Sequence, residues 1–310
     1  MKSNQSNIKK AKKYLNKNYC VGVPTETVYG LAANAYMNLA VKKIFKLKKR
    51  PKNNPLIVHY HDIDSLKRDC FINDNFIKLY EKFSPGPITY ILRLKKDSKI
   101  SKYVTNNKKS LAVRFPKHVL FKNLLKQLDY PLAAPSANIT TKVSAVKIED
   151  VKEEFGNKIK YILDGGVCSI GIESTIINLI GKPTILRLGG LDISKIKKTL
   201  GFKLNFAINS KNKIAPGQSR LHYSPGIPLR MNVVTPKNDE AFIIIKKRKP
   251  KLKNYFYLTT KNNLDDAAKN LYSCLRDIKN KGYKSIAVER IPNNGLGKAI
   301  NDRLKRASSY

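Results

Sequence analysis

Residues 38–59 read NLAVKKIFKLKKRPKNNPLIVH, and this stretch decides the fold class. Its first half sets Ala40, Ile44 and Leu47 on one face at helical spacing, which predicts a helix from Asn38 to Lys49. Pro51 stops it, because proline lacks the amide N–H and its ring clashes with the preceding turn. Pro55–His59 is then a short apolar run with the signature of a strand. Further strands are expected at Tyr19–Val23, Ile88–Leu94, Leu111–Phe115, Pro131–Ala134, Thr175–Ile180 and Thr184–Leu188. Helices are expected at residues 8–18, where Ile8, Ala11 and Leu15 share a face, and at Asn75–Lys82, Leu120–Gln127 and Lys147–Phe155. This mixture predicts an α/β domain built on a twisted sheet.

Lys211 to Pro228 is rich in Ser, Gly, Pro and Lys and reads as a linker. Beyond it, strands at Ala241–Ile245, Tyr255–Leu258 and Ser285–Val288 alternate with helices at Leu264–Lys279 and Lys298–Arg306. That alternation predicts a small second α/β domain with parallel strands. It has no GxGxxG, so nothing supports nucleotide binding there. The expected division is 1–206, a linker at 207–229, and 230–310.

The chain has 310 residues, enough for a packed core, and carries 61 Lys+Arg against 22 Asp+Glu, a formal net charge of +39. Such a balance suggests a nucleic-acid binder. Two features weaken that reading. Only 12 of the basic residues are Arg, and the charge is spread evenly: residues 226–310 hold 19 basic and 7 acidic residues, the remainder 42 and 15. Either origin of the charge yields a field that attracts polyanions. Cys20, Cys70, Cys168 and Cys274 form no CxxC, which suggests neither a zinc site nor a redox pair. Reduced thiols, no signal peptide and no long apolar run lead to the expectation of a cytoplasmic chain without membrane contact.

Several segments set hydroxyl or anion-holding side chains at expected strand ends. Pro24–Leu31 (PTETVYGL) follows a strand and offers Thr27. Lys48 and Arg50 lie on a corner between helix and strand, with Asn54 and His59 beyond; Arg suits phosphate by its fork and Lys as a point charge. Ser110–Pro116 (SLAVRFP) ends an apolar run with Arg114, which needs a carboxylate or phosphate partner if buried. Ala133–Asn138 (AAPSAN) supplies Ala134, Ser136 and Asn138, with Ser144 following. Glu173–Asn178 (ESTIIN) contains Ser174, Leu186–Gly190 (LRLGG) contains Arg187, and His222–Pro225 (HYSP) puts Tyr223 in the linker. Each segment alone is also explained by a capped turn, an internal salt bridge or a packing anchor. No Ser/His/Asp triad, HExxH or P-loop appears. The recurring pattern favours a phosphorylated ligand.

Taken in this order, the segments resemble the YrdC/Sua family of threonylcarbamoyl-AMP synthases, in the long form that carries a C-terminal Sua-type domain; residues 294–304 (NGLGKAINDRL) look like that domain's closing motif. The resemblance implies a twisted mixed sheet with helices around a basic cavity, plus a smaller Rossmann-like α/β domain. It implies a nucleotidyltransferase that makes threonylcarbamoyl-AMP and pyrophosphate from L-threonine, bicarbonate or CO2, and ATP with Mg2+. A downstream transferase would then modify ANN-decoding tRNAs.

By matched motif positions, Thr27, His59, Arg114, Ala134 and Ser174 would surround threonine. Arg50, Asn54, Ser110, Ser136, Ser144, Arg187 and Tyr223 would surround ATP. Lys48, Arg50, Ser136 and Asn138 form the tetrad that marks the family and would carry the catalytic role. No metal-ligating cluster is apparent, so the phosphates and water would hold the metal. Thr141-Lys142 stands where the family commonly has Ser-Gly. The alternative is a non-catalytic protein of the same fold that binds double-stranded RNA or tRNA; weak RNA binding is compatible with either reading.

Overall fold

The computed structural model describes residues 2–208, 222–246 and 253–308. The expected linker residues 209–221 lie outside the described residues.

The first part of the chain runs α1 (Lys2–Asn16), β1 (Val21–Val23), β2 (Gly30–Asn34), α2 (Asn38–Lys48), β3 (Ile57–His59), α3 (Ile63–Lys67), α4 (Asp74–Phe83), β4 (Ile88–Arg93) and α5 (Lys102–Thr105). It continues with β5 (Ser110–Arg114), α6 (Val119–Lys126), β6 (Leu132–Ala133), α7 (Ile148–Phe155), β7 (Tyr161–Ile162), β8 (Thr175–Asn178), β9 (Thr184–Arg187), α8 (Ile193–Leu200) and β10 (Asn205–Phe206). The ten strands form one mixed sheet in the order β10-β9-β8-β4-β5-β3-β6-β2-β1-β7. The second part is β11 (Leu229–Arg230), β12 (Ala241–Lys246), β13 (Tyr255–Thr259), α9 (Leu264–Asn280), β14 (Ile286–Val288) and α10 (Gly297–Ala307). Its strands form a separate sheet, β11-β14-β12-β13, in which every pair is parallel.

Local chemistry explains the boundaries. α2 buries Ala40, Val41, Ile44 and Phe45, and it ends where Lys49 turns left-handed at φ 50° and Arg50 N–H donates to the Phe45 carbonyl, just before Pro51. Asn73 caps α4 by accepting from Phe76 N–H at 3.0 Å, and Asn263 caps α9 by accepting from Asp265 N–H at 2.8 Å. α1 lays Ile8, Ala11 and Leu15 against Phe121, Leu124 and Leu125 near α6.

The two parts share one apolar core, which runs from Ile88 and Val113 through Tyr223 to Leu271, Tyr272 and Leu304. Gly171 marks where they touch. Its φ is +78°, and a Cβ there would lie 2.3 Å from the Lys269 carbonyl oxygen of α9, so only glycine admits the approach. Among the described residues, no helix is long and apolar enough to cross a membrane.

The expected elements are present, with shifted ends: the first helix begins at Lys2 instead of Ile8. The elements β2, α3, α5, β7, α8, β10 and β11 were not expected. Three of these strands have only two residues each, too short to show a period. In β2 all five residues are buried, so no polar face alternates with an apolar one.

Candidate active site

The strand ends converge on one cavity. Register places His59 of β3 beside Arg114 of β5, with Leu132 of β6 on the other side of His59. A bridge between Gly30 and Ser136 brings the start of β2 to the loop after β6. The cavity is lined by Arg50, His59, Arg114, Ala134, Ser136, Arg187 and Tyr223 from the sequence-based set, and also by Thr25, Glu173 and His222.

At one end, Arg114 is buried and its Nη2 donates to Glu26 Oε1 at 2.7 Å, while Lys117 N–H donates to Glu26 Oε2 at 3.0 Å. Arg114 Nε has no partner among the described residues, and neither has His59 Nδ1. Burial, and then the charge of Arg114, hold His59 well below the usual histidine range, so the imidazole is neutral near pH 7. A fixed guanidinium with a spare donor beside a neutral imidazole can take a carboxylate and a small polar group together.

At the other end, Arg50 is oriented by the chain that follows it. Its Nε donates to the Asn54 carbonyl at 3.0 Å, and its Nη2 donates to Asn54 Oδ1 at 2.6 Å and to the Pro55 carbonyl at 2.9 Å. Burial, and then the like charge of Arg187, push Arg50 down to about 9, still protonated at neutral pH. Arg187 Nε donates to the Ser174 carbonyl at 3.0 Å and its Nη2 to Ser174 Oγ at 3.1 Å. Two buried guanidinium groups thus stand in one cavity wall, the charge of Arg187 lowering the pKa of Arg50, an arrangement that suits an anion.

The remaining sequence-based residues stand behind this lining. Lys48 is fully buried, and its Nζ donates to the Ser136 carbonyl at 2.5 Å and to the Asn138 carbonyl. Burial, and then Arg50, lower its pKa. Asn138 Nδ2 donates to the Ile139 and Lys142 carbonyls at 2.8 and 2.9 Å. Thr141 turns left-handed at φ 78°, and its carbonyl accepts from Ser224 N–H at 2.8 Å, so this turn docks the linker. Thr27 meets Thr25 hydroxyl to hydroxyl at 2.8 Å, and Ser174 meets Thr89 at 2.7 Å. Asn54 reaches the cavity through Arg50, and Ser144 donates to Glu173 Oε1 at 2.6 Å. Ser110 differs: it opens β5 while Arg114 closes it about 13 Å further along the strand, and it is not among the described lining residues.

Among the lining residues that the sequence motifs quoted without a role, Glu173 and His222 are two that carry titratable groups. Glu173 precedes Ser174. It is the one acid among the described lining residues, and it accepts from Tyr272 Oη at 2.9 and 3.2 Å and from Arg303 Nε at 2.9 Å. Burial alone would push Glu173 up; Arg303, then Arg187 and the Ser144 hydroxyl, overcome it and bring the carboxyl to about 2. His222 precedes Tyr223, its ring 4.0 Å from the tyrosine ring, and burial pushes it down to about 3. Among the described residues no group of three or more His, Cys, Asp or Glu side chains could hold a metal. Glu173 is committed to Arg303, so no protein ligand for Mg2+ is assigned.

Known proteins resemble this chain over nearly its whole length. The Sua5/YciO/YrdC family model, described as "Telomere recombination", matches residues 13–189, and the model described as "Threonylcarbamoyl-AMP synthase, C-terminal domain" matches residues 191–309. Threonylcarbamoyl-AMP synthase of Pyrococcus abyssi is 34% identical across 98% of this chain and 94% of its own length. The Bacillus subtilis protein of the same name is 34% identical across 99% and 94%. The crystal structure of Pyrococcus abyssi Sua5 complexed with L-threonine superposes with a TM-score of 0.89 at 33% identity, covering 98% of this chain and 94% of that one.

Proposed function

Because the chain belongs to the Sua5/YciO/YrdC family and carries that family's threonylcarbamoyl-AMP synthase C-terminal domain, we propose that it makes threonylcarbamoyl-AMP from L-threonine, bicarbonate or CO2, and ATP. The carrying observation is that the cavity wall holds two unlike pairs, Arg114 with neutral His59 and Arg50 with Arg187, read here as two ends of the ligand site. The first end suits an amino acid and the second a polyphosphate.

In this reading the threonine carboxylate takes the spare donor of Arg114, and the His59 Nδ1 lone pair accepts from the amine or hydroxyl. The neutral threonine amine attacks the carbon of CO2, one C–O π pair moves onto oxygen, and the proton released from nitrogen passes to water, giving a carbamate. A carbamate oxygen then forms a bond to the α-phosphorus, and the bond from that phosphorus to the β-phosphate bridge oxygen breaks. Pyrophosphate leaves with the electron pair. The protein's work is alignment and charge stabilisation. In this reading Arg50 and Arg187 face the developing charge, and Ser136 adds a hydroxyl to the same wall. Lys48 and Asn138 hold the loop that bears Ser136. Mg2+ enters as part of the MgATP substrate.

Tyr223 and His222 close the cavity from the linker side, which protects a hydrolysable product. A separate transferase would then carry the carbamoyl group to tRNA. The non-catalytic RNA-binding reading draws no support from a cavity whose cations are buried. The test is omission: pyrophosphate release should require threonine, bicarbonate and ATP together. Release without threonine would refute the assignment.

A further inference from the structure

Glu173 poses an electrostatic problem. It is an ionised carboxylate in the wall of a cavity read above as a triphosphate site, and like charges at such range repel strongly in a low-dielectric setting. The second part of the chain answers it. Arg303 of α10 is only 1% exposed, and its Nε meets Glu173 Oε2 at 2.9 Å. Its Nη2 donates to the Leu188 carbonyl at 2.7 Å, next to Arg187, and its Nη1 to Asp302 at 2.7 Å. The same guanidinium lies 4.8 Å from the centre of the Tyr223 ring. Tyr272 of α9 donates to Glu173 and stacks on Tyr223 at 5.8 Å and 19°. One arginine therefore touches the acid, the backbone beside a lining arginine, and the linker tyrosine. Among the described residues, the ion pair of Arg114 is with Glu26 of the first part and the strand neighbours of His59 are Arg114 and Leu132, also of the first part.

We propose that Arg303 is a positioning residue for the nucleotide end of the site: it neutralises Glu173 and, with Tyr272, seats Tyr223, so the C-terminal domain sets ATP affinity and leaves threonine affinity to the first domain. This rests on the assignment of the two ends made above. Arg303 need not touch ATP. Its effect passes through Glu173, whose uncompensated charge would oppose the phosphates, and through Tyr223, whose φ of 64° is held only by its surroundings.

The test uses the full chain and four proteins: wild type, Arg303→Met, Arg303→Lys and the double variant Arg303→Met with Glu173→Gln. ATP binding is measured by equilibrium titration, apart from turnover, and KM is measured for ATP and threonine. Arg303→Met should weaken ATP binding at least tenfold while the threonine KM stays within about twofold, in line with the loss of a charge-assisted contact. Arg303→Lys should recover part of the loss. The double variant should bind ATP several-fold better than Arg303→Met, because the opposing charge is gone. If Arg303→Met does not fold, the double variant must fold and bind ATP more tightly than the wild type weakened tenfold. Equal losses for ATP and threonine, unchanged ATP binding in Arg303→Met, or a double variant no better than the single would overturn the proposal. A wild type that binds ATP but shows no threonine dependence would strike the proposed function instead.

Discussion

Arg114 Nη2 and Glu26 Oε1 meet at 2.7 Å in a buried pair, 88 residues apart in the chain. The pair fixes the guanidinium plane while Nε is left for a ligand. Arg114→Ala should therefore raise the threonine KM by about 10- to 100-fold, the range expected for a charge-assisted contact, and leave the ATP KM nearly unchanged. Glu26→Gln should give a smaller rise in the same constant. Steady-state kinetics with each substrate varied would show it; a rise confined to ATP would contradict the assignment of this end.

Lys48 bears on the loop rather than on the ligand. Methionine at position 48 keeps the volume but takes the Lys48 ammonium from the Asn138 carbonyl and from the Ser136 carbonyl, which keeps only the Asn138 N–H at 3.1 Å. Lys48→Met should cost about 2 kcal/mol in denaturant unfolding and lower kcat as Ser136 loses its fixed position. Full stability with lost activity would instead mean that the ammonium acts directly on substrate.

The Tyr223 hydroxyl is buried and has no hydrogen-bond partner among the described residues, in a residue that lines the cavity. Tyr223→Phe removes only that oxygen. It should leave the thermal midpoint unchanged and weaken ATP binding about three- to tenfold, the worth of one neutral hydrogen bond. A drop in the midpoint without a change in binding would assign the hydroxyl a packing role.

Protonation should loosen the site on the acid side. His222 at about 3 and the strongly lowered His59 both stay neutral in the fold, whereas an unfolded histidine titrates near 6.5. Between those values the unfolded chain binds more protons, so stability falls as pH drops from 6.5 towards 3. At pH 5 the loss is about 2 kcal/mol for His222, and His59 adds to it in the same direction. Glu173, lowered to about 2, adds a further loss as pH falls below about 4.5. Urea unfolding at pH 8, 6 and 5 should show the decline, and His222→Asn should flatten it. Equal stability at pH 8 and pH 5 would refute the burial of neutral histidines.

Much of the site was legible because its carriers are rare and placed at strand ends. Arg50, Arg114 and Arg187 are three of only 12 arginines in a lysine-rich chain, and each follows or precedes an apolar run. What stayed hidden is pairing at long range. Glu173 and Arg303 are 130 residues apart, and Glu173 and Tyr272 are 99 apart, so no local spacing announces them. Local pattern also could not separate the cavity wall from its support. Lys48 and Arg50 look alike as a basic corner, yet the turn at Lys49 sends one inward to carbonyl groups and the other to the cavity.

The most direct measurement is incorporation of labelled bicarbonate. Incubated with ATP, L-threonine and 13C-bicarbonate, the protein should release pyrophosphate and yield a threonine-containing adenylate heavier than the unlabelled product by a single mass unit. An adenylate without the label, or pyrophosphate release that does not depend on threonine, would contradict the two-ended site.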